Sequence, residues 1–136
     1  MNKGKLLEKI LFLNKHKQEQ ASIIIAKLNA SKIKQAQVIK INQQNIYDIT
    51  TKLSTYKQSA YQDKLTNVKV SMIEIRKIAY DMEQIRADLA ESQKTHTELN
   101  NEYEEIGISI LAEQAKMKAL FIKEAKFEYI IDMQVA

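Results

Sequence analysis

A step alternating between three and four residues organises the second half of the chain. From Ile75 it lands on Ile78, Met82, Ile85, Leu89, Ser92, His96, Leu99, Tyr103, Ile106, Ile110, Glu113, Met117, Leu120, Glu124, Phe127 and Ile131. Every one of these is apolar except Ser92, His96, Glu113 and Glu124. A mean step of ~3.5 residues is the coiled-coil repeat, in which a narrow apolar stripe stays turned toward a neighbouring helix. The one helix-weakening residue in the stretch is Gly107, a cost of ~1 kcal/mol. The pattern predicts one long helix from about 71 to about 133 with a single seam.

The first half shows the same step less regularly. Ile10, Leu13, Lys17, Ala21, Ile24 and Leu28 keep it, and Ile46, Ile49, Leu53, Tyr56 and Ala60 resume it. Between these sets Ile33, Ala36, Val38, Ile39 and Ile41 carry the stripe among many Gln and Asn. Their phase slips are the kind that locally unwind a supercoil. A helix from about 3 to about 58 is expected, ~80 Å long at the helical rise.

With no Pro and few Gly, the turn has to be found from capping chemistry. Ser71-Met72-Ile73-Glu74 reads as a capping box, with Val70 and Ile75 at the staple positions. Weak helix formers, Thr66 to Val70, precede it. The turn is therefore expected within about 60–70, with Ser59-Ala60-Tyr61-Gln62 as a competing box. The chain is expected to be all-α, two long helices forming an antiparallel coiled-coil hairpin as a single domain. One unbroken helix dimerising in parallel is the alternative.

Charge supports folding back. Residues 1–40 hold nine Lys against Glu8 and Glu19, whereas residues 81–136 hold six basic and twelve acidic side chains. Opposite charges beside a seam select the pairing, although each exposed pair contributes only ~0.3–0.5 kcal/mol. Folded near residue 65, paired positions total roughly 130, so Ile10 is expected near Leu120 and Leu28 near Tyr103.

Composition removes most chemistry. The chain has no Cys, two His and two Gly, which excludes thiolate metal sites, disulfides, Cys nucleophiles and Gly-rich phosphate loops. His96 is expected as a register-setting polar residue in the seam, His16 on the surface, and Glu104 and Glu105 on a solvated face. No catalytic residue, metal or cofactor is expected, and no small-molecule substrate. Although the pI is near 9.1, the basic residues lack interleaved stacking aromatics, which argues against nucleic acid. Apolar runs are too short for a transmembrane helix or a signal-peptide core, so a cytoplasmic protein, at most peripheral to a membrane, is expected.

What remains is protein contact. Both ends of the chain are apolar on more than one face, and all three Phe lie there. A two-helix seam covers only part of each helix, so apolar surface rimmed by lysine is expected to stay open at the end where the arms meet. The candidate protein-binding residues are Leu6, Leu7, Lys9, Ile10, Phe12, Lys116, Lys118, Phe121, Lys123, Lys126 and Phe127. Burial of the same surface in a homodimeric four-helix bundle is the competing reading.

In its length, its start Leu6-Leu7-Glu8-Lys9-Ile10, its Gln-rich first helix and its long second helix bearing Met82 to Leu89, the chain resembles the small coiled-coil stalk proteins of bacterial type III secretion, the YscO/FliJ-like family. That resemblance implies a virulence-associated protein-transport role without catalysis. The chain would sit at the centre of the hexameric secretion ATPase, promote its assembly and activity, and link it to the membrane export-gate protein. It implies a place in the bacterial cytoplasm at a secretion apparatus. Other readings are an adaptor or chaperone for a secreted helical subunit and a structural homodimeric coiled coil.

Overall fold

The computed structural model describes residues 3–65 and 71–135. Helix α1 runs Lys3–Ser59 and passes into one wider π-type turn, Ala60–Leu65; helix α2 runs Met72–Val135. The two long helices pack against each other as an all-α hairpin. Of the segment expected to turn, residues 60–65 are still helical, and 66–70 lie outside the described residues, as does Val70 of the expected staple. Ser71 caps α2: the Glu74 amide donates to its Oγ at 3.2 Å and the Ile75 amide to its carbonyl at 3.1 Å.

Along α2 the buried and half-buried side chains run from Ile78 to Ile131 on the expected step. Ile78, Ile85, Ser92, Ile110 and Leu120 are the most enclosed. Ile75 departs from the expectation, being 41% exposed one turn after the cap.

The seam of α1 departs more, and in an instructive way. Its covered positions are Leu7, Leu11, Asn14, Gln18, Ala21, Ile25, Leu28, Lys32, Gln35, Ile39, Asn42, Ile46, Ile49, Leu53 and Tyr56, continued by Ala60 of the π-type turn, with Ile10 half-buried beside them. These follow the alternating step without a slip. Leu13, Lys17, Ile24, Ile33, Ala36, Val38 and Ile41, expected in the stripe, are exposed instead. The apparent slips came from following apolar side chains. The seam keeps its phase because carboxamides occupy five core positions or their flanks.

By its internal packing the chain divides into two units: unit 1 comprises residues 1–34 with 103–136, and unit 2 comprises 35–102. In unit 1, Asn14 Nδ2 donates to the Leu120 carbonyl at 2.9 Å, and Gln18 Nε2 donates to Glu124 Oε2. Lys15 Nζ also approaches Glu124, at 3.9 Å. Lys32 lays its stem in the seam and its ammonium 5.1 Å from the centre of the Tyr103 ring.

In unit 2, Gln35 Nε2 reaches the Leu99 carbonyl at 3.2 Å and Glu102 Oε2 at 2.9 Å. Asn42 Nδ2 donates to the Ser92 carbonyl and Asn45 Nδ2 to Ser92 Oγ, both at 3.1 Å. A helix carbonyl has a second lone pair. Leu120, Leu99 and Ser92 can therefore accept these cross-helix bonds while their own helix ladders stay intact.

Asn14 with Leu120, Gln35 with Leu99 and Asn42 with Ser92 each total 134 in residue number. This shifts the expected total of roughly 130 by about one helical turn, because helical structure continues through the π-type turn Ala60–Leu65. Lys32 meets Tyr103, and Ile10 shares a groove with Leu120.

Candidate functional site

The expected docking residues all fall in unit 1, and the hairpin sorts them by burial. Leu7, Ile10 and Phe127 are half-buried. Ile10 and Phe127 line one groove with Asn14, Leu120 and Lys123. Lys9 and Phe12 line a second groove with Lys5, Glu8 and Leu13, on α1 alone. Phe12 is the most open large apolar side chain of that helix, at 72% exposure. Leu6, Phe121, Lys116, Lys118, Lys123 and Lys126 are exposed.

Charge separates the units. The segments of unit 1 carry twelve Lys and eight acidic residues, whereas residues 35–102 carry nine basic and nine acidic residues. The whole net charge of +4 therefore belongs to unit 1. Among the described residues, the larger share of the exposed large apolar side chains lies there too, including Phe12, Ile23, Ile33, Ile108, Leu111 and Tyr129.

Among the described residues, two polar side-chain atoms in the seam are buried without a hydrogen bond. One is His96 Nδ1 and the other Glu113 Oε2. The other ring nitrogen of His96 lies 3.0 Å from Asn100 Nδ2, one turn along the same helix. His96 thus bonds along α2 and not across the seam, and the cross-helix role expected of it falls to the amides of α1. Partial burial, then the 2.8 Å hydrogen bond to Asp81 and that carboxylate's charge, raise the Tyr56 phenol above its ordinary value.

Among the described residues, no group of three or more His, Asp or Glu side chains is arranged to hold a metal ion. No helix among them has a stretch long and apolar enough to cross a membrane.

Residue-by-residue reading of the sequence passed over one feature of α2. Ile108 and Leu111 are exposed, and with Ala115, Ile122 and Tyr129 they form a second stripe beside the seam. The signal was present as a second alternating step starting at Ile108, but the stronger primary seam masked it. No family model, curated protein or solved structure matches the chain.

Proposed function

We propose that this chain is a non-enzymatic docking protein, a coiled-coil stalk that engages a hexameric type III secretion ATPase through unit 1 and links it to the export gate in the bacterial cytoplasm. The observation that carries the docking role is a coincidence. The full positive excess and, among the described residues, most of the exposed large apolar side chains occupy the same unit, while the other unit is neutral. Exposed apolar area rimmed by one sign of charge suits a protein partner. The resemblance to secretion stalk proteins supplies the partner's class.

Affinity capture from the native host with mass spectrometry tests this. An export ATPase among the captured proteins is the expected result. Replacing Lys116, Lys118, Lys123 and Lys126 with Glu should weaken stimulation of that ATPase. A stoichiometric complex with a secreted helical subunit, and no effect on any ATPase, would instead make the chain an adaptor.

A further inference from the structure

We infer that the hairpin has a second register, in which α2 slides one heptad along α1 toward its own C-terminus, and that Glu113 drives the exchange. The inference does not depend on the docking role above. Its starting point is a seam carboxylate, Glu113, whose Oε2 is buried without a hydrogen bond. With paired positions totalling 134, Glu113 stands level with Ala21, whose methyl group offers it nothing to bond. A buried carboxylate oxygen left unpaired loses its hydration without replacement.

Both seams repeat every seven residues, so a slide of one heptad keeps them facing each other. Toward the C-terminus of α2 the slide sorts the seam like with like. Glu113 comes level with Asn14, whose Nδ2 in the observed register donates to the Leu120 carbonyl. Ser92 comes level with Gln35, whose Nε2 otherwise donates to the Leu99 carbonyl. Both amides then gain a polar side chain opposite. Tyr103 comes level with Ile25, Met117 with Leu11 and Leu89 with Ile39. Tyr56, which donates to Asp81, finds another carboxylate, Glu74, seven residues earlier on α2.

The opposite slide does the reverse, setting Glu113 level with Leu28 and Ser92 level with Ile49. Three side-chain bonds resist the favourable slide: Gln18 to Glu124, Gln35 to Glu102 and Asn45 to Ser92. Gln18 and Asn42 also fall level with Ile110 and Ile85. The observed register is therefore the ground state and the second a minor one. The closed end takes up the difference where the π-type turn Ala60–Leu65 already departs from α geometry. Seven residues at ~1.5 Å each carry Lys123, Lys126 and Phe127 ~10 Å toward and past the start of α1.

The test traps registers with introduced cysteines in the full chain. Ile25→Cys is combined with Ile110→Cys for the observed register, with Tyr103→Cys for the second, or with Met117→Cys for the opposite slide. In a glutathione redox buffer at low protein concentration, the Ile110 pair should link most within single molecules. The Tyr103 pair should link about tenfold more than the Met117 pair, the factor that one re-paired buried group supplies. Glu113→Leu should erase that advantage, and Gln18→Leu with Asn45→Leu should enlarge it. Lys17→Cys with Lys126→Cys, both exposed and so harmless to folding, provides a second measurement. Nitroxide labels there should give a main distance and a minor one several Å longer by pulsed electron paramagnetic resonance.

Equal linkage of the Tyr103 and Met117 pairs would overturn the inference, as general fraying of the hairpin produces that result. So would an advantage that survives Glu113→Leu, linkage confined to separate molecules, or a single distance between the labels.

Discussion

The two helices bring different chemistry to the same seam. On α2 the enclosed positions are chiefly Ile and Leu, with Ile78, Ile85, Ile110 and Leu120 nearly closed off from water. On α1 the most enclosed seam residues are Asn14, Gln18 and Ala21, and further amides donate across to α2. Apolar burial is non-directional and supplies most of the free energy. An amide aimed at one particular carbonyl contributes only ~1 kcal/mol, yet it loses that contribution if the helices slide. One helix therefore gives adhesion and the other gives register, a division of labour also served by single polar core residues in coiled coils.

If that division holds, truncating α2 should cost more than truncating α1. Ile110→Ala should lower the unfolding free energy by about 2 kcal/mol or more, read from urea denaturation followed by circular dichroism. Asn42→Ala should cost about 1 kcal/mol. Equal losses would break the comparison.

Gly107 sharpens it at a smaller scale. Its backbone is not left-handed, and a methyl group there would meet only the flexible Lys32 ammonium, at 3.9 Å. Gly107→Ala should therefore raise the unfolding free energy by about 0.5–1 kcal/mol through helix propensity. A loss in the same urea titration would mean that Lys32 cannot give way.

The smallest effect concerns the bond between Tyr56 of α1 and Asp81 of α2. The phenol holds its proton more tightly folded than unfolded, because its value is raised above 10.0. Stability from this contact is therefore complete below pH 10. It is lost as the pH climbs through the folded-state value. Urea midpoints should be flat across neutral pH and decline in strong alkali. Asp81→Asn should reduce the decline, since burial alone would then hold the phenol up.

The same contrast explains how much of the molecule was legible beforehand. The two helices and the α2 seam beyond Ile75 followed from an apolar period, and the hairpin from capping chemistry and the uneven charge. The cap at Ser71 followed from the hydrogen-bonding capacity of Ser and Glu four positions inclusive, and is present. The α1 seam was obscured because Asn14, Gln18, Gln35 and Asn42 look like surface residues by hydropathy, while Leu13, Ile24, Ile33 and Ile41 look like core. Nothing in a hydropathy pattern says that a carboxamide will find a carbonyl on another helix. The register differs because nothing in the capping chemistry signals the π-type turn, Ala60–Leu65, that carries helical structure past Ser59. The candidate docking residues were found as a cluster, but the second stripe from Ile108 needed the primary seam to be assigned first.

Pairing is best measured with introduced cysteines, because the chain has none of its own. Leu28→Cys should be combined with Ile106→Cys, which keeps the observed pairing, or with Glu113→Cys, one heptad away. Oxidation at low protein concentration should link the first pair within single molecules and leave the second largely unlinked. In a background carrying Asn14→Leu, Gln18→Leu, Gln35→Leu, Asn42→Leu and Asn45→Leu, linkage of the second pair should rise. Equal linkage of both pairs in the parent chain, or selectivity unchanged once these amides are gone, would contradict a register set by the amides of α1.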